Sequence, residues 1–143
     1  FTPDKMRRWM MPPPGFTVRT LECDARVGGA LDVVWKNAEA DPAMLLRGVF
    51  TEVVPHERAV HTETVALGTG QLLGSLVEKH EFSEEGGVTT VRITQTYASK
   101  EARDGALETC EGMEACYKEL DKLLSWTTAF AKRPTSLSSA RMT

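Results

Sequence analysis

Val88-Thr89-Thr90-Val91-Arg92-Ile93-Thr94-Gln95-Thr96-Tyr97-Ala98-Ser99-Lys100-Glu101-Ala102-Arg103-Asp104 is the stretch on which the fold turns. Up to Tyr97 it is rich in β-branched residues and alternates in the manner of a strand. From Lys100 the spacing becomes helical. Ser99 stands as an N-cap ahead of Glu101 and Ala102, and no proline follows until Pro134. Leu107, Met113, Leu120, Leu123, Leu124 and Ala131 fall on one stripe, joined by Tyr117 and Phe130. The spacing predicts one helix over 100–132, roughly 45 Å long and able to cross a whole sheet.

Upstream of Val88 the texture is that of strands and tight turns. Thr17 to Arg26 is β-branched and ends at the reversal Gly28-Gly29; Leu31, Val33 and Trp35 then alternate with polar or smaller neighbours. Asn37 to Pro42 is a polar loop. Leu45 to Val54 is a strand ended by Pro55, and Arg58 to Val65 another, followed by Gly68-Thr69-Gly70. Ser75 to Phe82 is a fifth strand, and Glu84-Glu85-Gly86-Gly87 turns the chain into the sixth. Short links between consecutive strands require an antiparallel meander, because parallel strands need long crossovers. Ahead of it, Pro3 to Met11 reads as a short helix with Met6, Trp9 and Met10 on an apolar side, stopped by Pro12-Pro13-Pro14-Gly15. The fold class expected is therefore α+β, as one domain over 1–132 with a disordered polar tail over 133–143.

Composition excludes several classes of function. The chain has 143 residues, of which 41% are hydrophobic and 26% charged, with a net charge of -3. That is an ordinary balance for one globular core. The acidic charge argues against a nucleic-acid partner, and no apolar run reaches the length of a membrane span. Three cysteines, Cys23, Cys110 and Cys116, form no CxxC pair and read as free thiols in a reducing cytoplasm.

Particular residues at the junctions carry a resemblance. Phe1-Thr2-Pro3-Asp4 with Trp9, then Pro14-Gly15-Phe16, open the chain, and Gly28-Gly29 makes the first hairpin. Arg47-Gly48 leads into Val53-Val54-Pro55 with Glu57-Arg58, and the run from Thr94 to Asp104 precedes Gly112-Met113. In this combination the chain resembles the START-like helix-grip superfamily. More narrowly it resembles the branch named after activators of the ninety-kilodalton heat-shock protein's ATPase, in its bacterial stand-alone form. The resemblance implies a curved antiparallel sheet packed on a long C-terminal helix with a cavity between them, and it implies no shared catalytic motif. It also places a strand and a helix ahead of the Phe-Thr pattern, with that strand between the second and last strands of the family's fold. Without them, two unpaired strand edges are expected, and with them a route to a homodimer.

A hydrophobic or amphipathic small molecule is the expected partner, with no cofactor and no metal; a co-chaperone-like protein-interaction module is an alternative that the family's name suggests, although a chaperone partner is not the expectation. The cavity candidates are Trp9, Trp35, Phe50, His61, Glu63, Glu78, His80, Met113 and Tyr117. Aromatic walls with a few polar groups are how small-ligand sites are built, although core packing accounts for Trp9, Trp35, Phe50 and Trp126 equally well. The methionines are expected to fill gaps. His61 and Glu63 share one strand face, as do Glu78 and His80, and a hairpin centred near Gly70 would set the four side by side. They could then orient a polar ligand, bind a cation or exchange protons in a cyclase- or hydrolase-like reaction. Their spacing matches no metal-ligand motif. The opposite faces, with Thr62, Thr64, Lys79 and Glu81, are hardly more apolar, so the simpler expectation is a solvent-facing patch. Cys110 as a nucleophile, and Glu101, Arg103 and Asp104 as catalysts, are not expected.

Overall fold

In a computed structural model that describes residues 1–10, 12, 15–107 and 111–128, the alternating stretches become six strands. They are β1 (Thr17–Cys23), β2 (Ala30–Lys36), β3 (Met44–Val54), β4 (Arg58–Leu67), β5 (Leu72–Glu85) and β6 (Val88–Tyr97), preceded by α1 (Pro3–Trp9). Each pairs antiparallel with the next, in the sheet order β1-β2-β3-β4-β5-β6, so β1 and β6 are the edges. Two helical segments follow, α2 (Lys100–Leu107) and α3 (Glu111–Thr128). They cover most of the single helix expected over 100–132. Residues 108–110 and 129–132 lie outside the described residues, as does the tail expected to be disordered. Ser99 caps α2 as expected, its Oγ accepting from the Ala102 N–H at 3.1 Å.

Some boundaries differ from the sequence reading, for local reasons. The first strand stops at Cys23 rather than Arg26 because the Arg26 N–H bonds the Asp24 carbonyl and the Gly29 N–H bonds the Arg26 carbonyl. This folds 24–29 into a tight reversal. A Cβ on Gly29 would stand 1.9 Å from the Asp24 carbonyl oxygen, so only glycine fits there. The reversal then grips β3: the Gly28 N–H donates to the Phe50 carbonyl and the Phe50 N–H to the Gly29 carbonyl, at 2.8 and 2.9 Å.

Curvature is built into β3. At Gly48 a Cβ would lie 2.1 Å from the Thr62 carbonyl oxygen, so β4 crosses closer there than any side chain allows. The β3–β4 register shifts between Phe50 and Glu52, and that bulge adds bend and twist.

The inner face is divided in two. Towards β1, β2 and β3 it is apolar, with Leu21, Leu31, Val33, Trp35, Leu46 and Phe50 buried together with Met6 from α1. Such burial is the main stabilising term of a domain this size. Helix α1 packs on β1 and α3, with the Trp9 ring stacked on Tyr117 at 6.3 Å between centroids. Towards β4, β5 and β6 the same face carries the polar side chains.

Candidate ligand-binding site

Strand pairing alone assembles the polar group. Phe50 faces His61 across β3–β4, His61 faces Glu78 across β4–β5, and Glu78 faces Gln95 across β5–β6. This makes one row across four strands. In the adjacent row, Ala59 faces His80 and His80 faces Ile93. Paired Cβ atoms in an antiparallel sheet are close enough for their side chains to touch. The hairpin expected near Gly70 therefore does bring His61, Glu63, Glu78 and His80 together.

The expectation of a solvent-facing patch is overturned. His61, Glu78 and His80 are 1%, 6% and 8% exposed, and the Glu63 side chain is 13% exposed. The four occupy the inner, concave face. What turns them inward is their company: Ala59 and Val65 share their face on β4, and Leu76 and Phe82 on β5.

Within the cluster, His80 Nε2 bonds Glu78 Oε1 at 2.7 Å. The other Glu78 oxygen accepts from the Gln95 amide, and Tyr97 donates its hydroxyl proton to Gln95 Oε1 at 2.9 Å. His61 stands between two carboxyls, its Nδ1 3.5 Å from Glu63 and its Nε2 3.7 Å from Glu78. Neither of its ring nitrogens makes a hydrogen bond of full geometry, although the Thr62 backbone lies close enough to act on the ring. The donor atoms of His61, Glu78 and His80 all lie within 4.8 Å of one another.

Burial sets the protonation states. It pushes the His61 imidazole below its usual range, and His80 adds to that, against the opposing pulls of Glu78 and the Thr62 backbone, so the ring is held neutral. The Glu63 carboxyl is pushed up to about 8, by burial first and then by the Glu78 carboxylate. Burial would raise Glu78 as well, but the bond and charge of His80, with Gln95 and His61, outweigh it and hold Glu78 below the ordinary carboxylate range. Across from the sheet, burial raises the Tyr117 hydroxyl, and the Glu78 and Glu63 charges add to the rise. One carboxylate, one neutral imidazole and one protonated carboxyl thus stand side by side at neutral pH.

The remaining candidates divide cleanly. Phe50 is wholly buried beside the cluster, its ring 5.2 Å from that of His61. Trp35 lies in the buried core cluster, paired with Val18 on β1 and Met44 on β3. Trp9 and Tyr117 stack on each other, with Tyr117 reaching towards the polar side. Met6 fills the core as expected, while the side chains of Met113 and Trp126, and all of Met11 and Cys110, lie outside the described residues. Sequence reading missed Gln95, Tyr97 and Phe1. Phe1 packs edge-on against Phe50 and His80, with ring centroids 5.5 and 5.1 Å away. Gln95 and Tyr97 had a usable signal: the Gly86-Gly87 turn sets Glu85 against Val88, and counting back from it puts Gln95 opposite Glu78.

Next to the cluster is an open recess of about 400 Å³, lined by the apolar Phe1, Val53, Pro55, Ala59 and Phe82 and by the polar His56, Ser83, Glu84 and Thr89. Phe82 stacks on His80 with centroids 6.4 Å apart, so the apolar side of the recess runs up to the polar group.

A curved antiparallel sheet with α1 and α3 over its concave face defines a helix-grip domain. The chain belongs to the family described as Activator of Hsp90 ATPase homolog 1-like protein, whose sequence profile matches residues 1–125. Solved structures share the fold. A protein from Rhodobacter sphaeroides is similar with a TM-score of 0.69 and 22% identity, over 87% of this chain and 78% of that one. One from Mycobacterium smegmatis gives 0.66 and 21%, over 85% and 77%. One from Nitrosomonas europaea gives 0.64 and 19%, over 89% and 82%. A search of curated proteins finds none that matches. Among the described residues no helix is long and apolar enough to cross a membrane.

Proposed function

We propose that the protein binds a small amphipathic molecule on the concave face, its apolar body in the recess and its polar head at the His61–Glu78–His80 floor. The observation that carries this reading is the junction of the two: a recess whose apolar walls, Phe82, Ala59 and Phe1, touch or pair with His80. Small-molecule sites combine apolar walls with a few placed polar groups in this way. The fold tolerates a fully buried imidazole with no hydrogen bond of full geometry, which costs stability unless something binds it. Three cysteines, Cys23, Cys110 and Cys116, without a CxxC pair fit a cytoplasmic setting.

A panel of single-chain amphiphiles with carboxylate, amine or hydroxyl heads, read by thermal shift and native mass spectrometry, tests it. At least one head group should bind saturably. A Thr89→Trp variant, which fills the mouth of the recess, should bind that compound about tenfold more weakly or worse. A panel without binders, or a variant that binds unchanged, contradicts the reading.

A second reading is acid–base chemistry on the bound molecule, favoured by the 2.7 Å His80–Glu78 bond, which orients the imidazole as such pairs do in general-base sites. Conversion of a bound panel member, lost in His80→Gln while binding persists, would distinguish it from simple binding.

A further inference from the structure

We propose that His61, Glu78 and His80 are the protein ligands of a divalent first-row transition-metal ion at the floor of the concave site. No motif along the chain announces it, because the donors come from two strands and meet only through the β4–β5 pairing.

The first support is the donor set. Two imidazoles and one carboxylate, with further coordination positions open, form one of the commonest protein sets for zinc and for non-haem iron. The three donor atoms lie within 4.8 Å of one another, and Glu78 Oε1 is already 2.7 Å from one Nε2 and 3.7 Å from the other. Metal–ligand bonds of about 2.0–2.2 Å place neighbouring donors roughly 3–3.5 Å apart, so ligation closes the outermost pair and opens the 2.7 Å His80–Glu78 pair. On ligation His80 exchanges its hydrogen bond to Glu78 for a bond to the ion.

The second support is independent of the distances. His61 is 1% exposed and neither ring nitrogen has a hydrogen bond of full geometry, although its Nε2 points at Glu78. Buried polar side chains almost always find a partner in the protein, in ordered water or in something bound. A ring left unsatisfied, with one nitrogen 3.7 Å from a carboxylate and a second imidazole stacked beside it at 5.5 Å, has the position of a ligand rather than of a packing residue.

The third is the outer support. Metal-bound imidazoles are held by a carboxyl or carbonyl on their other nitrogen, and metal-bound carboxylates are themselves hydrogen-bonded. Glu63 Oε1 lies 3.5 Å from His61 Nδ1, on the side away from Glu78. Gln95 holds the second Glu78 oxygen, and Tyr97 holds Gln95. Each element of such a support is present, contributed by β4 and β6. The groups facing the site from other elements are aromatic: Phe1, Phe50 and Tyr117. They would keep bulk water from the ion.

This inference concerns the floor of the site proposed above and does not depend on the amphiphile: an ion can bind whether or not the recess takes an organic ligand. The test uses the untagged full chain, stripped with chelator and titrated with zinc chloride in a calorimeter, with cobalt(II) as the spectroscopic probe. One equivalent of zinc should bind in the micromolar range or tighter, and excess magnesium should not displace it. Cobalt(II) should give the visible absorption of a nitrogen-containing, low-coordinate site. His61→Leu, expected to melt no lower than the metal-free parent, should weaken zinc binding by about a hundredfold or more; Glu63→Gln, which disturbs only the support of His61, should weaken it about tenfold to a hundredfold. Should His61→Leu fail to fold, Glu63→Gln decides by the same readout. No saturable uptake by the parent, or equal uptake by the variants, overturns the proposal. Thr89→Trp separates the two readings: it should lose the amphiphile and keep the zinc.

Discussion

Replacing Phe50 with alanine is expected to destabilise the protein by about 3–5 kcal/mol, the range for truncating a fully buried phenylalanine. Its side chain is 0% exposed and sits where three parts of the molecule meet. The backbone of the β1–β2 reversal is bonded to it on both sides, through Gly28 and Gly29. Its ring contacts Phe1 and His61, and it packs with Leu31, Val33 and Leu46. A cavity there cannot collapse readily, because Gly48 and the following bulge already bring β3 and β4 as close as backbone allows. Domains of this size are stable by only about 5–15 kcal/mol, so the variant should be largely unfolded at modest urea concentrations. Urea denaturation followed by circular dichroism measures this. A loss below about 1.5 kcal/mol would mean that Phe50 is not at the centre of the packing.

Replacing Glu78 with leucine is expected to cost about 2–4 kcal/mol, for a different reason. No large cavity forms, since leucine is of similar bulk. What is lost is the common acceptor of His80 and Gln95, which also faces His61. Leaving several buried donors without a partner costs more than the bonds were worth. The double variant Glu78→Leu, His80→Leu should therefore cost clearly less than the sum of its single variants, since it also removes one of the orphaned groups. Additive losses, or a neutral Glu78→Leu, would show that the cluster is not the linked group described above.

Much of the fold was legible from the chain. The change of period after Tyr97, the glycine turns and the Ser99 cap set the order of elements, and the structure keeps that order. The ends were less legible. β5 runs from Leu72 to Glu85, beyond the expected Ser75 to Phe82, because backbone pairing continues to the turns through Glu84–Thr89 and Glu85–Val88. Leu72, Leu73, Glu84 and Glu85 are exposed, and exposed positions leave no period-two mark.

The site was half legible. Spacing predicted that His61, Glu63, Glu78 and His80 would meet, and they do. It did not predict the face they occupy, because the opposing positions Thr62, Thr64, Lys79 and Glu81 were scarcely more apolar. The deciding residues were the flanks, Ala59 and Val65 on one strand and Leu76 and Phe82 on the other, whose parity places the polar pairs inside. The contribution of Phe1 could not be read from spacing, since it depends on how α1 packs against β1 and α3.

On the proposed reading, His61 stands at the floor of the concave site for something it binds, not for the fold. The most direct test is the unfolding free energy of metal-free, ligand-free His61→Leu beside the parent. Removing a buried, unsatisfied imidazole in favour of an apolar side chain of similar size should leave stability unchanged or raise it by about 1 kcal/mol. A loss of about 2 kcal/mol or more would contradict the account, because it would show that the imidazole is part of what holds the sheet together.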